Sequence, residues 1–321
     1  MERTRMEKSD LKIVFLGTPE FAVPSLSMLL EEGYQVAAVV TQPDRPRGRG
    51  HKLLPSPVKV LAEENGLPVY QYERVSREGL EELAALAPDL LITVAFGQIL
   101  SQKLLEIPKI GCINVHGSLL PKYRGAAPIE WAVIDGEAQT GITTMFTVYE
   151  LDAGDMLEQD AVDILPGETG GQLRERLSHV GAGTLKRTLE KLLAGTLERR
   201  PQDAEAATIC RMFPKGFGQL DFAKTCRENV NLIRGLNPAP GAYLMHGEAK
   251  IKIWRAEQAS EAVSHPLGTI VAADPRQGLV YQCADGLLKI LELQYPGGKA
   301  MKAEDFLRGK GRDVFSSPEG K

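Results

Sequence analysis

The chain has 321 residues, 43% hydrophobic and 25% charged, which is ordinary for a globular protein and enough for two domains. No apolar run reaches the roughly 18 residues that a spanning helix needs. Met1–Asp10 is charged and lacks an apolar signal core, so a cytoplasmic location is expected. The net charge of −4 argues against a chain-wide nucleic-acid surface, but residues 206–321 carry +4 against −8 for residues 1–205.

After a flexible stretch expected at 1–10, residues 11–17 (LKIVFLG) read as a buried strand ending at Gly17. A helix follows over 21–32, with Pro24 tolerated in its first turn. Residues 36–40 read as a strand, 41–56 as a loop with Arg, Lys, Pro and Gly, and 57–64 as a helix. A short strand is expected at 68–70, a helix at 77–86 and a strong buried strand at 89–95. Strands at 111–115 and 141–148 flank a helix at 126–134, and a long amphipathic helix covers 171–193. This alternation predicts an α/β fold with a doubly wound, Rossmann-like parallel sheet over 11–194, whose ligands sit beyond the carboxyl ends of the strands.

Residues 195–207 read as a linker. From 208 to 321 the pattern changes to a short helix (226–235) and five short strands (242–245, 250–256, 268–273, 278–283 and 287–293). This suits a small OB-like β-barrel, with the last residues, 309–321, expected to fray. Cys112, Cys210, Cys226 and Cys283 form no C-x-x-C pair, so neither a zinc knuckle nor a disulfide framework is suggested.

Gly17 opens G-T-P-E-F-A rather than G-x-G-x-x-G, which excludes a dinucleotide-cradling turn. Asn114 and His116, two apart on an extended segment, point the same way at the carboxyl end of their strand, and Asp152 follows the next strand. Sequence position therefore brings all three toward one crevice.

Asn114–Ile129 (NVHGSLLPKYRGAAPI) resembles the central motif of the 10-formyltetrahydrofolate-dependent formyltransferases. Leu151–Met156 (LDAGDM), Thr41–Lys59 (TQPDRPRGRGHKLLPSPVK) and Asn231–Tyr243 (NLIRGLNPAPGAY) are similar to three further segments of that family. The similarity is strongest to the branch that acts on initiator methionyl-tRNA. The resemblance implies direct formyl transfer with no metal, and with Asn114, His116 and Asp152 as the catalytic trio. An amide donor suits a tetrahedral oxyanion. An imidazole can hydrogen-bond the developing charge or move a proton, and a carboxylate can orient it and accept the amine proton. Within L-D-A-G-D the alignment favours Asp152, leaving Asp155 to brace the loop.

The resemblance also assigns Ser118, Leu119, Leu120 and Pro121 to the folate donor, while Val94, Phe96 and Gly97, at the end of their strand, either shape its pterin slot or belong to the ordinary core. Cys112 reads as packing rather than as a nucleophile. Arg45, Arg47, Arg49, His51 and Lys52 form a basic cluster. A charge run of this kind is either a solvated face or, at an active-site edge, a set of phosphate contacts. The resemblance implies the second, with Arg49 as the critical arginine. Arg234, Lys250, Lys252, Lys299 and Lys302 are candidates for the tRNA backbone, and a monomer is expected. Departures from the family pattern are Glu150, Ala153 and Ala239.

Overall fold

The computed structural model describes residues 7–47 and 52–316. Arg49 and His51 of the basic cluster lie outside the described residues, as do residues 1–6 of the expected flexible stretch and 317–321 of the tail. In chain order the first elements are β1 (Lys12–Gly17), α1 (Val23–Glu31), β2 (Gln35–Thr41), β3 (Arg45–Arg47), β4 (Lys52–Leu54), α2 (Pro57–Glu64) and β5 (Val69–Gln71). Then come α3 (Val75–Glu78), α4 (Leu80–Ala85), β6 (Leu90–Val94), α5 (Gln102–Leu105), β7 (Gly111–His116), β8 (Arg124–Gly125), α6 (Pro128–Ile134), β9 (Gln139–Phe146) and β10 (Met156–Asp163). The chain continues through α7 (Gly170–Ala194), β11 (Ile209–Cys210), α8 (Cys226–Gly235), β12 (Ala242–His246), β13 (Ala249–Ser260) and β14 (Ile270–Asp274). It ends with β15 (Gly278–Cys283), β16 (Gly286–Gln294), β17 (Met301–Lys302), α9 (Ala303–Arg308) and α10 (Gly311–Ser316).

These elements fall into two compact units. One comprises Met1–Pro128, Thr140–Asp163 and Arg174–Arg211; the other comprises Ile129–Gln139, Ile164–Leu173 and Met212–Lys321.

The first unit holds a seven-stranded sheet in the order β10-β9-β7-β6-β1-β2-β5. Its central strand β6 (LLITV) is buried at every position, as expected of a parallel strand covered on both faces. The pairs β1–β2, β1–β6, β6–β7 and β2–β5 are all parallel, which gives the expected doubly wound arrangement. The sheet departs from that expectation at β9, which runs antiparallel to β7 with His116 opposite Thr143 and Ile113 opposite Phe146. The end of β9 therefore points away from the carboxyl end of β7. Asp152 reaches His116 only because the following loop doubles back, closed where Phe146 N–H donates to the Asp155 carbonyl at 2.9 Å.

Local signals explain the helices that were legible. Ser56 caps α2 by accepting from Lys59 N–H, and Pro57 fills a first-turn position where its missing N–H costs nothing. The expected helix at 77–86 is instead two short ones, α3 and α4, meeting at Gly79.

In the second unit, α8 opens with a reciprocal capping box between Thr225 and Glu228. Cys226 and Ile233 of α8 join a core with Ile251, Ile253, Leu288 and Ile290 from an antiparallel sheet ordered β12-β13-β16-β15-β14. The tail expected to fray forms α10, anchored by buried Phe315. Among the described residues no helix is long and apolar enough to cross a membrane.

Candidate active site

Parallel pairing sets Thr93 of β6 beside Asn114 of β7. The Thr93 hydroxyl donates to Asn114 Oδ1 at 3.0 Å. With its oxygen so engaged, the amide presents Nδ2 as the donor for another group. Two residues on, His116 is buried with 6% exposure. Its Nε2 lies 2.9 Å from the Tyr123 carbonyl, which can only accept, so Nε2 carries a hydrogen and Nδ1 is the nitrogen left for proton exchange. Nδ1 faces Asp152 Oδ2 at 3.7 Å, beyond a direct hydrogen bond.

Asp152 is held in a sparsely populated conformation, φ +47°. For a residue with a Cβ this costs roughly 1–2 kcal/mol. Asp is among the side chains that tolerate it, because its short carboxylate can bond the nearby backbone. Here Oδ2 accepts Gly125 N–H at 2.8 Å. A charge-assisted bond of this kind is worth about 1.5–3 kcal/mol, enough to offset the strain. Gly125 itself has φ +102°, and a Cβ there would lie 2.4 Å from the Cys210 carbonyl, so the close pairing of β8 with β11 requires glycine.

The backbone of the Asp152 loop has a second anchor. Gln202 donates from Nε2 to the carbonyls of Asp152 (2.7 Å) and Gly154 (2.8 Å), while its Oε1 accepts from Arg124 Nε at 2.9 Å. Arg124 is buried, and its guanidinium also approaches Glu150 at 3.9 Å. Asp155 pairs with Arg199 at 3.0 Å. Gln202 lies in the 195–207 stretch that reads as a linker, Thr93 lies in a buried strand, and Arg124 lies within the Asn114–Ile129 motif with no role assigned to it. No motif singles out a glutamine in a polar connecting segment, or a threonine inside a buried strand.

The segment expected to hold the donor is divided by burial. Ser118 and Leu120 are buried, and Leu119 and Pro121 are partly exposed. Ser118 Oγ donates to the Lys122 carbonyl at 2.7 Å, Leu120 N–H donates to Thr143 Oγ1 at 3.1 Å, and Gln159 Nε2 donates to the Leu120 carbonyl at 2.9 Å, so the segment is rigidly tied. Val94 and Phe96 are buried, Phe96 within the core beside β6, while Gly97 is exposed with φ +82°.

On either side of residues 48–51, β3 and β4 of the basic segment pair antiparallel, with Arg47 opposite Lys52. Arg45 is exposed and bridges to Glu73 at 2.8 Å. The loop's root is fixed where Lys59 reaches Asp44 (2.8 Å) and Gln71 (3.0 Å), holding the Asp44 carboxyl below the usual carboxylate range. Gln42, next to β2, donates to the carbonyls of Phe96 and Gly97, both at 3.1 Å. In the second unit, Lys250 lies over the Tyr243 ring at 3.8 Å and Lys252 over the Trp254 ring at 5.3 Å, while Arg234 bonds Asn231 at 3.0 Å.

Cys112 is buried, and desolvation pushes its thiol up to about 11, so it is no nucleophile at neutral pH. Among the described residues no group of three or more His, Cys, Asp or Glu is arranged to hold a metal.

A family model described as formyl transferase matches residues 11–189, and one for the formyl transferase C-terminal domain matches residues 213–311. The chain is 48% identical over 307 residues to a methionyl-tRNA formyltransferase of Ruminiclostridium cellulolyticum, covering 95% of this chain and 98% of the relative. It is also 48% identical over 305 residues to the methionyl-tRNA formyltransferase of Halalkalibacterium halodurans, covering 95% and 96% of the two chains. Among solved structures, an N-formyltransferase from Helicobacter canadensis, in complex with folinic acid and dTDP-3-aminofucose, aligns with TM-score 0.65 at 20% identity. That alignment covers 87% of this chain and 97% of the other, a likeness of fold alone.

Proposed function

The chain belongs to the formyl transferase family, and we propose that it moves the formyl group of 10-formyltetrahydrofolate to the α-amine of initiator methionyl-tRNA, releasing N-formylmethionyl-tRNA and tetrahydrofolate. The observation that carries this reading is near-full-length similarity, at 48% identity, to relatives named for that reaction. The arrangement of Asn114, His116 and Asp152 supports it.

The amine nitrogen attacks the formyl carbon, and the carbonyl electrons move onto oxygen. Asn114 Nδ2 donates to that oxyanion; removal of such a donor typically costs about 2.7–4 kcal/mol of transition-state stabilisation. The amine loses its proton to the His116 Nδ1–Asp152 pair, whose facing atoms lie 3.7 Å apart. The carbon–nitrogen bond to the folate then breaks, and the folate nitrogen takes up a proton. Transfer is direct, so no side chain becomes acylated.

Leu119, Pro121 and Gly97 are accessible to touch the donor, whereas Val94, Phe96, Ser118 and Leu120 support that wall from within. The basic segment that carries Arg45, Arg47, Arg49, His51 and Lys52 engages tRNA phosphates. The C-terminal residues 208–321 add backbone contacts, and the protein acts in the cytoplasm as a monomer.

The test is incubation with formyl donor and methionyl-tRNA, scoring N-formylmethionyl-tRNA. Formylated product supports the reading and its absence overturns it. A rival acceptor, a small amine, is separated by Arg49→Ala. Weakened use of methionyl-tRNA with an unchanged KM for the donor supports the tRNA reading; unchanged kinetics favours the rival.

A further inference from the structure

We propose that Gln202 is a positioning residue for the reaction, a latch from the connecting segment that sets the carboxylate of Asp152 against His116. The proposal rests on the functional reading above and extends it to a residue that touches neither substrate.

A nine-residue loop joins β9 to β10. Its base is closed by Phe146 N–H to Asp155 O, leaving Asp152 near the tip. A carboxylate at a loop tip samples many directions unless the backbone behind it is fixed. Gln202 supplies that fixation. Both hydrogens of its amide are used, one on the Asp152 carbonyl and one on the Gly154 carbonyl, at 2.7 and 2.8 Å. Its oxygen accepts from Arg124 at 2.9 Å. Arg124 directly precedes Gly125, whose N–H holds the Asp152 carboxylate at 2.8 Å.

These bonds close a ring. The carboxylate of Asp152 is bound by Gly125, Gly125 is joined covalently to Arg124, Arg124 is bound to Gln202, and Gln202 is bound to the carbonyl of Asp152. One residue is thus gripped at its side chain and at its backbone by the same strand. Tyr123, which fixes His116 through its carbonyl, precedes Arg124. The orientation of His116 and that of Asp152 are therefore referred to one short segment, residues 123–125.

That segment is in turn stitched to the stretch that follows Gln202. Tyr123 N–H donates to Thr208 Oγ1 at 2.8 Å, Arg124 N–H to the Thr208 carbonyl at 2.8 Å, and Ala126 N–H to the Cys210 carbonyl at 3.1 Å. On the other side of Gln202, Arg200 and Met156 exchange backbone hydrogen bonds at 2.8 and 2.9 Å. Gln202 is thus anchored before and after, and its side chain spans between the two walls of the site.

Only an amide of this length serves both walls. Glutamate would still accept from Arg124 but would set its second oxygen against two carbonyls. Methionine keeps the length and loses every hydrogen bond. Alanine removes the bridge.

The test has two arms on the full-length protein. In the first, backbone amide exchange is followed without substrates in wild type, Gln202→Ala and Gln202→Met. The expected result is exchange at least about tenfold faster at Gly125, with the protection of β6 and β7 unchanged. Unchanged exchange at Gly125 overturns the latch. In the second, steady-state kinetics with formyl donor and methionyl-tRNA are measured for the Gln202 variants in wild-type and Asp152→Ala backgrounds. The expected result is a fall in kcat of about 10- to 100-fold in the wild-type background, with both KM values within about twofold. In the Asp152→Ala background the further loss stays below about twofold, because the latch acts only through that carboxylate. An equal loss in both backgrounds, or near-wild-type kcat in both variants, overturns the proposal. An inactive wild type defeats the acceptor assignment instead, and the exchange arm still decides the latch.

Discussion

His116 Nδ1 and Asp152 Oδ2 face each other at 3.7 Å, while the opposite nitrogen of the ring is bound to the Tyr123 carbonyl at 2.9 Å. The imidazole thereby has one bonded nitrogen and one open nitrogen, and the open one is turned toward a carboxylate that is itself held by Gly125 N–H.

From this follows the behaviour of the proposed trio. Asn114→Ala, His116→Ala and Asp152→Ala are each expected to lower kcat by at least about a hundredfold, the usual scale for losing an oxyanion donor or a proton carrier. Asp152→Asn separates charge from backbone. Asparagine tolerates the left-handed conformation as well as aspartate does, so this variant should unfold within about 1 kcal/mol of wild type and still lose most activity. Single-turnover formylation and thermal unfolding measure the two effects. Near-wild-type turnover in all three alanine variants would remove the trio.

Thr93 should matter to turnover through Asn114. Its hydroxyl donates to the amide oxygen at 3.0 Å and so selects which end of the amide faces outward. Thr93→Val keeps the shape of a buried strand residue and deletes that choice. We expect kcat to fall about tenfold with KM little changed, and Thr93→Ser to restore most of it. A Thr93→Val enzyme with full kcat would mean that the amide is oriented by something else.

Glycines in the loop and the strand beside it should be unequal to glycines elsewhere. A Cβ at Gly154 would lie 1.7 Å from the Phe146 carbonyl, and one at Gly141 would lie 2.1 Å from the Asp160 carbonyl. Both approaches are backbone against backbone, so the strand must move. At Gly33 a Cβ meets nothing within 4 Å, leaving only the penalty of φ +75°. Urea unfolding of Gly33→Ala should therefore show a loss of about 1–2 kcal/mol. Gly141→Ala should lose more than about 3 kcal/mol. Equal losses would show that the sheet yields at no cost.

Acid stability should depend on Glu32. Hydrogen bonds from Lys186 and then from Lys8 hold its carboxyl down from the ordinary 4.5 to about 2. A carboxyl depressed in the folded state stabilises fully above the unfolded pKa and loses that contribution as pH falls through the folded one. Melting temperatures of wild type and Glu32→Gln should therefore differ by a constant amount above about pH 5. They should converge between pH 4.5 and 2. Because the pair is solvated the gap will be small, and a gap that widened on acidification would contradict the assignment.

Much of the first unit was readable in advance because its signals are local. The apolar runs of β1 and β6 and the strand carrying Asn114 and His116 each announce themselves within a few residues. What escaped reading is non-local. The pairing of β8 with β11 involves two residues on each side, too short for any periodicity to appear. The direction of β9 depends on how the chain turns after α6, and its alternation is the same whichever way it runs. Asp152 was assigned by its motif, but the reason it reaches His116 is the doubled-back loop rather than a strand end. Gln202 carries no signature, because hydrogen-bonding to two carbonyls is a capacity every glutamine has.

The partnership of Arg124 with Cys210 joins residues 86 positions apart. At roughly 5–20 residues per second of synthesis, the earlier strand waits on the order of ten seconds for the later one. Once Asp152 is made, the growing polypeptide holds Asn114, His116 and Asp152, yet lacks the Gln202 side chain that bonds the Asp152 carbonyl. A product of arrested translation that stops short of residue 202 is therefore expected to lack the Gln202 latch and to fall in kcat at least as far as Gln202→Ala. The order of synthesis thus places the three candidate side chains in the chain well before the residue that positions one of them.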